Sequence, residues 1–282
     1  THTTVKQQLT IYSASPKYQE NLIGQSRPGI RLDCAQAGGD DAIPVGVSKM
    51  GGLPDLPPDV DWPKWKGRSL DFLLQLSMAE LRDCRASADL PKRGLLSFFY
   101  DPEQETWGFD PEDGGSWRVF YFDGPVKVLE RRPAPAKKSQ SSTYKAFRLR
   151  FQEVLTLMPL TEEMIESLEN GWDSHMDFVS DLVGDKPLHQ VLGHPAEIQG
   201  EMRLECQLAA NGVYCGDGTE ETHPRYAELT RGTEDWRLLL QVDSDDAAGM
   251  MWGDCGRLYF WIKEQDLAQS NFDNVWMILQ CY

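Results

Sequence analysis

Three carboxylates, Asp243, Asp245 and Asp246, crowd the stretch QVDSDD, and a fourth, Asp254, follows a Trp252-Gly253 pair. Carboxylates spaced this way can ligate a cation, share a proton as a general acid–base pair, or accept hydrogen bonds from a turn. Counting Asp243 as the first ligand of a calcium loop places Asp245 third and Asp254 twelfth. Ala247 and Ala248 then stand where a ligand and a glycine are needed. The flanks read as strands, so an EF-hand is excluded and only a looser cation site stays open. As a general acid, one carboxylate would need desolvation; Asp243 follows an apolar run and Asp254 neighbours Trp252. Asp and Ser are also the residues that cap turns, and the polar-turn reading leads.

Other reaction chemistry lacks its motif. GVSKM (46–50) carries Met50 where the second glycine of a nucleophile elbow belongs. Cys255 has Asp254 beside it and Arg257 as its only nearby cation, a setting that dulls a thiol. No glycine-rich stretch fits a phosphate or dinucleotide loop. His189 and His194 match no common zinc spacing, and no metal or cofactor is expected. Trp62, Trp107, Trp117, Trp236, Trp252 and Trp261 could line a groove for peptide or sugar, or belong to core and rim.

The net charge of −16, from 44 acidic and 28 basic residues, repels nucleic acid and anionic lipid. It favours a basic protein partner or serves solubility. No run has the roughly 18–20 apolar residues of a membrane helix, and the start THTTVKQQLT lacks the apolar region of a secretory signal. The six cysteines form no C-x-x-C pair, which points to free thiols in a reducing cytoplasm.

The elements that would position these residues are mostly strands. DFLLQL (71–76), LLSFFY (95–100), WRVFYF (117–122), FRLRF (147–151), WRLLLQV (236–242), RLYFWI (257–262) and VWMILQC (275–281) have strand length and apolar or alternating character. Asp123-Gly124 signals a hairpin from WRVFYF into VKVLE (126–130). CAQAGGDDAIP (34–44) reads as loop, and PAPAKKSQSS (133–142) as linker. Helices are expected at Tyr12 to Ile23 and, broken near Asn170-Gly171, at 161–184.

Three blocks recur in order. FLLQL (72–76) matches LLLQV (238–242), pairing Gln75 with Gln241. GLLSFFY (94–100) matches GRLYFWI (256–262). More faintly, GGLPDLP (51–57) matches LGHPAEI (192–198), pairing Gly52 with Gly193 and Pro54 with Pro195. A duplicated β unit around one shared core is expected.

The blocks SKMGGLPDLPPDVDWP, FLLQLSMAEL, GLLSFFYD, HQVLGHPAEIQG and LLLQVDSDD…MMWGDCGRLYFWIKEQDL resemble the YwqG-like family of bacterial proteins of unknown function, over roughly residues 45 to 282. The resemblance implies a mainly β, roll-like fold and supplies no catalytic residue. Its motifs make Gly51, Gly52, Pro54, Trp62, Gln75, Gln241, Asp243, Asp245, Asp246, Trp252, Gly253 and Asp254 the candidate binding residues.

The expected fold class is α+β, mainly β: one roll-like domain over 1–282 with an internal duplication and a helical insert at 161–184. Residues 1–44 are taken as a variable segment, 46–130 as the first β half and 144–282 as the second. The expected function is non-enzymatic: a cytoplasmic interaction protein that binds a basic partner, as an inhibitor or immunity-type protein of a bacterial toxin system. The alternative is a hydrolase or carbohydrate-handling enzyme built on the Asp cluster.

Overall fold

A computed structural model describes residues 23–135, 144–158 and 186–282. Ten strands form one antiparallel sheet: β1 (Arg27–Gln36), β2 (Lys49–Met50), β3 (Asp71–Ser77), β4 (Leu95–Tyr100), β5 (Trp117–Phe122), β6 (Phe147–Thr156), β7 (Gln190–Val191), β8 (Trp236–Asp243), β9 (Arg257–Lys263) and β10 (Trp276–Gln280). Their spatial order is β10-β9-β8-β7-β1-β6-β2-β3-β4-β5. Among the described residues, short helices that decorate it are α1 (Met78–Leu81), α2 (Arg203–Ala209), α3 (Tyr226–Leu229) and α4 (Glu264–Ala268). The protein is mainly β, as expected. Among the described residues no helix is long and apolar enough to cross a membrane.

Strands β3 and β4 are buried at every residue, and β8 and β9 at nearly every one, which explains their continuous apolar runs. One face fills the interior, where Phe98 and Phe260 meet edge to face with centroids 5.3 Å apart. The other is covered by outer layers. Phe72 and Phe99 pack under Leu56, Trp62 and Trp65, while Leu238, Tyr259 and Trp261 pack with Met202 and Cys206.

The sheet nearly closes. The acidic connection between β4 and β5 leans across β10: Leu279 N–H donates to Trp107 O (3.0 Å) and Trp117 Nε1 to Val275 O (2.8 Å). Gly108 makes this approach with φ of +89°, and a Cβ there would lie 2.0 Å from Met277 O, so no other residue fits.

Two readings need correction. Residues 34–36, read as loop, end β1, which runs at the centre of the sheet paired with β6 from Arg27↔Thr156 to Gln36↔Phe147. Asp123-Gly124 closes no hairpin. Pro125 follows, Val126–Val128 coils as a 3-10 turn, and Glu130–Arg131 pairs with Asp55–Leu56 instead of β5. The helix expected at 161–184 lies outside the described residues, as does the one expected at Tyr12 to Ile23 except for Ile23, which is helical.

The sheet divides between β1 and β6 into two five-strand sets with matching details. Register shifts fall between Phe72 and Leu74 in β3 and between Leu238 and Leu240 in β8. Gln75 accepts from Asp55 N–H (2.9 Å) and donates to Val47 O (2.8 Å). Gln241 accepts from Ala196 N–H (2.8 Å) and donates to Leu188 O (2.7 Å). Each glutamine thus ties its strand to the chain before and after the neighbouring two-residue strand. The sets interchange one strand relative to chain order: β6 lies with β2 and β1 with β7.

Candidate functional site

The Asp cluster starts at the end of β8. Asp243 is buried; its Oδ1 accepts from Arg257 Nε (2.9 Å) and its Oδ2 from Leu188 N–H (2.7 Å). Asp245 is buried and caps the next turn, accepting from Ala247 N–H (2.8 Å) and Ala248 N–H (3.2 Å), while its backbone bridges Met250. Asp246 is exposed. These three share one cavity of about 570 Å³ with Lys186, Cys255 and Arg257. Asp254 is exposed on the following bend, where its carbonyl accepts from Tyr282 N–H (3.1 Å). Trp252 is fully buried beneath, its Nε1 donating to Asp243 O (3.1 Å).

Two residues join this cluster that sequence reasoning missed. Cys34 of β1, His189 and Asp245 place their ligating atoms within 4.8 Å of one another. The histidine decides what this set can do. Its Nδ1 accepts from Asp243 N–H (3.1 Å), so the ring proton sits on Nε2 and points to Asp245 Oδ2 (3.3 Å). A metal on Nε2 would need the proton on Nδ1, against an amide hydrogen, so the set does not fit a metal ion. The thiol also stays protonated: burial, then Asp245, pushes Cys34 up to about 12. Asp245 is held below the usual carboxylate range, chiefly by the His189 hydrogen bond. Donors therefore saturate Asp245 as a carboxylate, the wrong state for a general acid.

Around β2 lies a second polar centre. Lys49, fully buried, donates to Asp40 Oδ1 (2.7 Å) and to Leu53 O. Arg131 Nε donates to Asp55 Oδ1 (2.6 Å), and Gln75 Nε2 and Gly46 N–H donate to Asp55 Oδ2 (2.6 and 2.8 Å). Gly51 and Gly52, both with positive φ, turn the chain here; an added Cβ on Gly52 would lie 2.5 Å from Asp40. Pro54 O accepts from Arg132 N–H, and Trp62 Nε1 donates to Leu70 O (2.8 Å). The front-motif residues thus frame a buried ion network. Gly253 sits apart on the rim, its N–H donating to Gln104 Oε1 (3.0 Å). Of the six tryptophans, Trp117 and Trp236 line a common cavity, with Trp276, of about 370 Å³.

A third cluster has uncompensated charge. Burial, with Glu201 adding repulsion, raises Glu197 to about 7; burial, with Glu201, Glu197 and Glu220, raises Glu205 to about 7. Glu205 Oε2 and Glu220 Oε2 are buried with no hydrogen-bond partner. Arg203 at the start of α2 is already shared by Glu201 (2.7 Å) and Glu234 (2.6 Å).

A family model described as a domain of unknown function (DUF1963) matches residues 48–281, and the chain belongs to that family. No curated protein matches it. The matched region holds every candidate residue named from the sequence and starts after β1.

Asp246→Asn and Asp254→Asn are expected to shift stability by no more than about 0.5 kcal/mol, as exposed side chains do. Urea denaturation of the two variants checks this.

Proposed function

We propose that the protein is a non-enzymatic, acidic interaction protein of the bacterial cytoplasm. Its face around Glu197, Glu201, Glu205 and Glu220 holds a basic protein, in the manner of an inhibitor or immunity-type partner of a toxin. The observation that carries this reading is the pair of carboxylate oxygens, Glu205 Oε2 and Glu220 Oε2, left without donors beside further acids. Lysine or arginine side chains of a partner, meeting the exposed Glu201 and Glu221, would offset the repulsion among these acids. The charge of −16 steers a cationic partner toward the protein. Six free cysteines support a reducing compartment. Within its family we place the chain with the YwqG-like members, and we read the two matching strand sets as copies of one duplicated β unit. The enzymatic alternative on the Asp cluster is weakened by the donors that close Asp243 and Asp245.

Pull-down from the native host is expected to recover a basic protein whose binding weakens with salt, since screening shortens to about 8 Å at 0.15 M ionic strength. Glu201→Lys and Glu221→Lys, both exposed, should weaken it further. No partner at low ionic strength, or one indifferent to both reversals, would sink the reading.

A further inference from the structure

A cavity lies at the seam where the sheet stops short of closing. β5 and β10 stand at the two ends of the strand order and do not pair as strands. Side-chain links such as Trp117 Nε1 to Val275 O (2.8 Å) join them instead. Beside that link is the cavity of about 370 Å³, lined by residues of both end strands, of β9 and α4, and of the turn after α2. Its size falls within the roughly 300–1,000 Å³ usual for small-molecule sites.

Trp117, Trp236 and Trp276 form part of the wall. Each indole N–H is already used, by Val275 O for Trp117, Gln207 Oε1 for Trp236 (2.9 Å) and Gly108 O for Trp276 (2.8 Å). The three rings therefore offer the cavity carbon surface and no donor. Trp117 and Trp236 are buried, and Lys263 Nζ lies 5.3 Å from the Trp236 ring centroid. Trp276 is half-buried and gives the ring surface within reach. Gly114 lines the cavity beside it. A Cβ there would stand 3.7 Å from Trp276 Cζ3, so the glycine leaves that part of the ring uncovered.

The polar lining carries both signs. Arg118 and Lys263 bring positive charge, Asp266 and Asp273 an equal negative charge. Asp266 Oδ1 is held by the side-chain amides of Asn271 and Asn274 (2.9 Å each). Among the described residues the side-chain ends of Arg118, Gln265 and Asp273 have no hydrogen bond or ion pair, and Lys263 has only the Trp236 ring. These four come from β5, the end of β9, α4 and the loop before β10, so hydrogen-bonding groups reach the cavity from separate segments. An anion would have two acids against it, and a cation two bases. An apolar molecule would strip water from these groups and replace none of its hydrogen bonds.

We propose that this cavity binds a neutral sugar of the pyranose type. Such a ring has an apolar face of C–H groups, whose slight positive charge suits the negative face of an indole, here Trp276. The hydroxyls around its rim both donate and accept. They match Arg118 and Lys263 as donors, Asp273 as an acceptor and Gln265 as both. An amino-acid zwitterion gathers its polar groups at one end and suits these separate segments less. The site shares no residue with the face around Glu197, Glu201, Glu205 and Glu220, and the proposal stands whether or not a basic partner exists.

Titration of the ¹⁵N-labelled chain tests it, with the Trp276 indole N–H resonance as reporter, assigned by its disappearance in Trp276→Phe. The probes are the methyl glycosides of D-glucose, D-galactose and D-mannose, together with N-acetyl-D-glucosamine. At least one is expected to move the resonance saturably. D-glucuronate, protonated D-glucosamine and L-tryptophan should each bind more weakly than that sugar. Arg118→Gln should weaken its binding about tenfold, the loss of a charged donor, and Gln265→Ala about threefold, the loss of a neutral one. No saturable shift with any neutral sugar, a charged probe or L-tryptophan binding as tightly, or an affinity unchanged in Arg118→Gln would overturn the proposal. Should Arg118→Gln not fold, Gln265→Ala decides: its side chain is exposed and unpartnered, and unchanged affinity there overturns the proposal equally.

Discussion

Asp55→Ala is expected to cost about 3–5 kcal/mol of stability, the loss typical of leaving a buried charge unpaired. Asp55 is fully buried and accepts from Arg131 Nε (2.6 Å), Gln75 Nε2 (2.6 Å) and Gly46 N–H (2.8 Å). The carboxylate is half of a balanced set: Asp40 and Asp55 face Lys49 and Arg131, with Arg131 reaching Asp40 at 3.1 Å. Removing it leaves two cations against one acid around a buried position, and burial already lowers the Lys49 pKa. Asp55→Asn keeps an acceptor and should cost roughly half as much. In urea the midpoint should fall while the slope stays the same, because the native and unfolded surfaces change little. The double variant Asp55→Ala/Lys49→Met restores the balance, so its cost should be well below the sum of the single ones. A loss under about 1 kcal/mol for Asp55→Ala would show that the network contributes little.

This network marks the limit of what the chain discloses as a string. Lys49, Asp55 and Arg131 carry residue types that normally face solvent, and only the fold brings them together. One signal did reach the sequence: Gln75 inside an apolar run, repeated at Gln241, is the residue that braces Asp55. DFLLQL, LLSFFY, WRLLLQV, RLYFWI and VWMILQC were legible because burial on both faces leaves unbroken apolar runs, and FRLRF because it alternates. β1 was not, since Arg27, Arg31 and Asp33 interrupt Ile30, Leu32 and Cys34, and the strand is specified by pairing with β6. That one omission also hid the candidate site. Cys34 comes from β1, and His189 lies just before a strand of two residues, too short to read. Asp243 and Asp245 were visible by type and spacing. Their partners, Arg257 and His189, were in plain sight without a reason to be chosen. Asp254 belonged to the same motif but sits on the rim, because the bend at Gly253 turns it outward.

Between about pH 5 and 8 the wild type should lose stability relative to Glu197→Gln and Glu205→Gln. Both carboxyls rise from 4.5 to about 7 in the folded protein, for which burial is the main cause and the neighbouring acids the second. Over that interval the folded chain keeps protons that the unfolded chain has released. Their contribution is therefore fullest below about 4.5, declines as pH rises, and is gone above about 7. Each glutamine variant, which never ionises, should be more stable than the wild type by about 1–2 kcal/mol at pH 8, a figure reduced for the partial exposure of both groups. The gap should narrow toward pH 5, and thermal melts across the range measure it. Parallel curves for all three proteins would mean that the acids are solvated and the face holds no unrelieved charge. If the gap appears and the same variants also bind the basic partner less well, the two results share one cause. Carboxylates that destabilise the free protein and are relieved by a cationic partner contribute to binding at the expense of folding. A purely structural cluster would show no such opposition.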